Sequence, residues 1–89
     1  DISQVIQAVL HEQQIALGHP LNRLTKQERL AIFQALDQQG IFALQRAMPQ
    51  VAEQLGISRA TAYSDLATVR EESRHGFSVR EPASSDYQG

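Results

Sequence analysis

Eighty-nine residues with a net charge of −2 and no cysteine make one small domain, able to bury a modest core but not to add a cofactor domain beside a catalytic cleft. The missing cysteines exclude disulfide staples and thiolate zinc sites and fit a reducing cytoplasm. No apolar run is long enough to span a membrane, and no signal peptide stands at Asp1, where a helical pattern is already running; this start is expected of a piece of a longer protein.

Four helices are predicted in chain order. Ile2, Val5, Ile6, Val9, Leu10, Ala16 and Leu17 follow helical spacing up to a stop at Gly18, His19 and Pro20. The Val5, Val9 and Leu10 face of this first helix reads as core, with a seam between two copies as the second reading. Thr25 to Glu28 has capping-box form and opens a second helix, with Leu30, Phe33 and Leu36 on one face and Gly40 at its end. Ile41, Phe42 and Leu44 form an apolar connection, in which residues 41–47 are a separate turn or short helix. Pro49 lacks an N–H and belongs in the first turn of the third helix.

The stretch from about 48 to 70 has the layout of a helix-turn-helix, with Gln50 to Arg70 as its most informative part. Val51 and Leu55 face inward at i, i+4, and Ala52 is small where the next helix passes close. Gly56 stands where a helix ends in a left-handed conformation, Ile57 plugs the turn from below, and Ser58 caps the fourth helix. Ala62, Leu66 and Val69 then recur as a buried stripe. Ser58, Arg59, Ala60, Thr61, Tyr63, Ser64, Ala67 and Arg70 are left as the candidate DNA-contacting residues, on a short polar surface that suits a major groove about 12 Å wide. An αα-hairpin in a plain bundle needs the same Gly and the same apolar stripe. It gives no reason, however, to place Arg59 among small neighbours with Tyr63 on the outer face.

From Ser73 onward the helical period fades and Gly, Pro and Ser gather. The expected organisation is therefore an all-α, small helical domain over 1–72 and a disordered tail over 73–89, where Phe77 and Val79 alternate as in a strand without making a wing.

Charge is unevenly spread. Between Pro20 and Arg70, Arg23, Lys26, Arg29, Arg46, Arg59 and Arg70 stand against Glu28, Asp37, Glu53 and Asp65, a balance of +2, while acid gathers at the ends. That is weak for phosphate neutralisation by one domain, so two copies on paired half-sites are expected. Asp65 fits DNA worst. Read as the edge of the recognition helix, it is repelled by phosphates unless it accepts from a cytosine amino group or pairs with an Arg, and a solvated flank is the plain alternative. His11, His19 and His75 lack paired ligands at metal spacing and read as solvated, so neither metal nor cofactor is expected. No Ser-His-Asp set or carboxylate pair falls in one pocket, and no catalysis is expected of the chain.

Several separated motifs then resemble a known family. Residues 18–21 (GHPL), 24–30 (LTKQERL), 36–42 (LDQQGIF) and 51–63 (VAEQLGISRATAY) are similar to the C-terminal DNA-binding half of the YheO-like transcriptional regulators, the group with the D-arginine-utilisation repressors. The resemblance covers roughly residues 2–70. It implies a ligand-responsive repressor or activator whose PAS-like sensor domain holds a small-molecule effector ahead of this segment; a cytoplasmic homodimer, with helix one as a candidate seam, is what the residues themselves lead one to expect. Its partner is double-stranded DNA. The chain departs from the family at Ser64 and Asp65, where a basic and an aromatic residue are usual, and at Pro49. Two other functions stay open at this level: the DNA-binding module of a recombinase or transposase, and a helical protein-interaction adaptor.

Overall fold

The computed structural model describes the backbone of residues 1–79 and the side chains of residues 1–74, and among these there is no strand. Helix α1 spans Ile2–Leu17, α2 Lys26–Gln38, α3 Ala47–Leu55 and α4 Arg59–Val79, with single 3₁₀ turns at Leu21–Arg23 and Ile41–Ala43. The fold is all-α, as the sequence leads one to expect. The last helix runs past Ser73, where the fading period places the start of a tail, and takes in positions 77 and 79; the rest of that expected tail, 80–89, lies outside the described residues.

Local chemistry fixes the boundaries. The Asp1 carboxylate accepts from the Ser3 N–H at the start of α1, and Gly18 closes that helix in the left-handed conformation. At α2 the capping box is complete: Thr25 Oγ1 accepts from the Glu28 N–H at 3.1 Å while Glu28 Oε1 accepts from the Thr25 N–H at 2.9 Å. Pro49 sits in the first turn of α3, where its missing N–H has no partner to lose.

The core is one cluster. Ile6 and Leu10 of α1, Ile32, Phe33 and Leu36 of α2, Ile41, the buried face of α3 and Ala62, Leu66 and Val69 of α4 all meet in it. Phe33 stacks on Phe42 with ring centroids 5.4 Å apart, so the 3₁₀ turn after α2 is held by aromatic packing as well as by burial. Ile32, fully buried, is a core residue that the Leu30, Phe33 and Leu36 face leaves out, and Leu30 is only half-buried. The apolar face read on α1 divides: Leu10 is fully buried, Val9 half-buried and Val5 45% exposed. Leu44, in the connection, is also exposed.

Helix α4 packs chiefly on α2, and two ion pairs bracket that contact. Asp65, only 3% exposed, takes a two-pronged grip from Arg29: the Nε group donates to Oδ2, and Nη2 donates to Oδ1 at 3.2 Å. Asp65 is therefore neither a flank in solvent nor a neighbour of phosphates, which corrects two of its three placements; it pairs with an Arg. Towards the other end of α2, Arg70 Nη2 donates to Asp37 Oδ1 at 3.1 Å in a much more exposed setting.

Removing one partner of a buried pair strands the other's charge, whereas replacing both with apolar groups leaves nothing unpaired. Asp65→Ala is expected to cost roughly 3 kcal/mol in urea denaturation, with part of the loss moderated because Arg29 keeps some solvent contact. Arg29→Met with Asp65→Leu should recover most of it. A single-mutant loss below about 1 kcal/mol would show that the pair does not anchor α4.

Candidate nucleic-acid interface

The turn between α3 and α4 is built by backbone hydrogen bonds that need a left-handed residue. Gly56 has φ +71°, its N–H donates to the Glu53 carbonyl at 3.1 Å, and the Ile57 N–H reaches back to the Ala52 carbonyl at 3.0 Å. This is a Schellman closure, with Ile57 packed against the core beneath it. Ser58 follows at once. Its Oγ accepts from the Thr61 N–H at 3.0 Å and donates to Thr61 Oγ1 at 3.0 Å, so α4 starts on a satisfied cap three residues after α3 has ended.

At 100° per residue the first turns of α4 sort into two faces. Ala62, Asp65, Leu66 and Val69 are buried, while Ser58, Arg59, Ala60, Tyr63, Ser64, Ala67 and Arg70 are exposed and Thr61 is half-buried. Tyr63 is 58% exposed with Arg59 and Ala67 one turn to either side. The structure thus brings the sequence-predicted candidates together on one outward surface. Arg70 stands apart from them in one respect, since its guanidinium is already engaged by Asp37.

Electrostatics grade this surface along the helix. Arg59 has no ion-pair partner among the described residues, whereas Glu71 and Glu72 line the far end of the shallow depression formed with Ser64, Ala67 and Thr68. Glu71 is paired with Arg74. A polyanion is therefore favoured at the N-terminal turns and repelled further on.

One residue that the sequence reading passed over joins the site. Arg46, at the start of α3, has φ +69° with no side-chain capping bond and is exposed, and it is the one non-glycine with positive φ among the described residues. An arginine carries no sequence signal for that conformation, which costs an L-residue about 1 kcal/mol or more. It supplies a second cation at the beginning of the helix that leads into the turn.

The remaining surface offers less. A groove between α1 and α3, lined by Ser3, Gln7, His11, Gln50, Glu53 and Gln54 among others, is open and polar. His19 Nε2 lies 3.2 Å from Glu28 Oε2. Among the described residues no group of three or more His, Asp or Glu gathers as a metal site, and no helix is long and apolar enough to cross a membrane.

A short helix and a longer one joined by a glycine turn, the second offering a polar face whose Arg59 has no ion-pair partner among the described residues, define a helix-turn-helix of the kind that reads DNA. The sequence matches a family model described as an HTH domain over residues 2–67, and the chain belongs to that family. The match takes in α1 and α2 as well as the helix-turn-helix itself. No curated protein and no solved structure matches the chain.

Ser58→Ala should lower stability by about 1 kcal/mol in thermal or chemical unfolding, because the Thr61 N–H loses its acceptor. Ser58→Asp, which keeps an acceptor there, should restore the loss. If alanine and aspartate are equally stable, the cap is not setting the start of α4.

Proposed function

We propose that this chain is the sequence-specific DNA-binding domain of a bacterial-type transcriptional regulator, working as a pair of copies on one site and governed by a ligand-sensing domain elsewhere in a longer protein. The observation that carries the reading is the outward surface from the Ser58 cap along α4 to Ala67, exposed and largely small and polar, with Arg59 at its start having no ion-pair partner among the described residues. Such a face fits the major groove, where Arg59 reaches a guanine edge or the adjoining phosphate, and Tyr63 and Ser64 approach base edges on either side of Ala60 and Ala67. Arg46 meets a phosphate from the start of α3, the helix that crosses the backbone in this motif.

The resemblance to the YheO-like regulators supports the ligand-sensing part, and the HTH family supports DNA as the partner. The role is that of a cytoplasmic reader of DNA, not of an enzyme. Ser64, where the family usually has a basic residue, makes the base contacts particular to this chain.

Binding is expected to weaken with salt. With about three or four phosphate contacts per copy, the log–log slope of affinity against salt should be roughly −5 to −7 for a pair. Fluorescence anisotropy on a selected operator measures it, and a flat dependence would sink the DNA reading.

Arg59→Ala separates two contact modes. As a base reader it should cost about 1–3 kcal/mol and relax preference at one base pair; as a phosphate clamp it should weaken all sequences alike. Unchanged affinity on a cognate site would mean that another face of the domain meets DNA.

A further inference from the structure

The side of α1 that turns away from the core is not polar throughout. Val5 is 45% exposed, Ile15 67% exposed, and Ala8 between them is exposed too. Ile15 is the most exposed of the large apolar side chains among the described residues. Together with Glu12, these residues fall at positions 5, 8, 12 and 15, steps of three, four and three that keep one seam along a helix.

We infer that this seam pairs α1 with α1 of a second copy in antiparallel orientation. The inference deepens the two-copy part of the proposed function. The spacing is the same read in either direction, so a two-fold axis across residue 10 lays Val5 against Ile15 of the second copy and Ala8 against Glu12 of the second copy. Both large pairs and both small–large pairs close on a single register. A parallel pairing sets Glu12 beside Glu12 of the second copy at one height, which like-charge repulsion disfavours. Antiparallel pairing puts the small Ala8 opposite each Glu12, lets the helices approach, and leaves the carboxylate free to turn toward solvent.

The contact is small. A helix of 16 residues is about 24 Å long, and one such seam buries less than the roughly 1,200 Å² at which stable complexes begin. The pair is therefore weak when free and strengthened when two half-sites hold the copies together, where the second contact becomes intramolecular.

The absence of cysteine from the chain gives a clean test without DNA, so its failure is separable from failure of the DNA reading. Val5→Cys and Ile15→Cys are made singly in the 89-residue chain and oxidised with diamide, alone and mixed, at high protein concentration. Antiparallel pairing sets the two copies of position 5 about 15 Å apart along the helix, too far to bridge, while position 5 of one copy meets position 15 of the other. The expected result is a disulfide-linked heterodimer in the mixture, identified by mass, in large excess over either homodimer. Ile15→Lys in the Val5→Cys partner should abolish it with the helical circular dichroism unchanged, since Ile15 lies outside the core. Equal linking of each variant with itself would show a parallel seam or random collision. The absence of any link would show that another segment or partner covers this face, and either outcome overturns the proposal.

Discussion

A carboxylate that is almost completely buried cannot be left unpaired, and the helix that carries Asp65 has one orientation in which it is paired. Asp65 lies about 160° around α4 from both Tyr63 and Ala67, so whatever holds Asp65 inward holds those two outward. Arg29 does so with two donors whose fixed planar spacing matches the two carboxylate oxygens. Apolar packing of Ala62, Leu66 and Val69 would tolerate some rotation of α4 on α2; a two-pronged ion pair at the same interface tolerates far less. The candidate base-contacting face is thereby oriented from behind.

That use of charge changes how the domain meets a polyanion. Arg29 and Arg70 count as positive in the sequence, yet each is spent on a carboxylate of the facing helix, Asp65 and Asp37 respectively. The pairing is reciprocal: α2 supplies a cation and then an anion, α4 an anion and then a cation. Among the described residues, the cations without ion-pair partners include Arg46 and Arg59, at the starts of the two helices of the motif, along with Arg23 and Lys26. On the proposed DNA reading, so few such cations at the motif, with acid beyond Ala67, make general attraction modest and place the weight on the first turns of α4.

Much of this was legible in the residues. The capping box at Thr25, the stop at Gly18, the turn at Gly56 and the cap at Ser58 are short-range chemistry, and short-range chemistry is written locally. Asp65 shows where the reading fell short. Taken as the neighbour of an inward Leu66, it was placed at an edge; taken at i+3 from Ala62 and four residues before Val69, it belongs to the buried stripe itself. Its polarity hid that register, because a buried acid is explained only by a partner, and Arg29 is 36 residues away in sequence. Arg46 was illegible for another reason: tertiary context, not residue type, sets its left-handed backbone. The course of α4 beyond Ser73 went unread because a helical backbone continues there after the apolar period has faded.

The same modest charge bears on why the proposed seam on α1 would matter for selectivity. A single copy with few free cations and one short recognition face gains little from any one site, and a weak α1 contact gains little in free solution. Joined on one duplex, the two small terms multiply, because holding one copy in place raises the local concentration of the second by the geometry of the site and not by any new contact with DNA. Half-sites at the wrong spacing or in direct repeat forgo the gain, since an antiparallel two-fold seam fixes how the two α4 helices are presented. Weak components are in this respect an advantage: a domain with stronger charge would occupy isolated half-sites, and the symmetry of the pair would no longer decide where it binds.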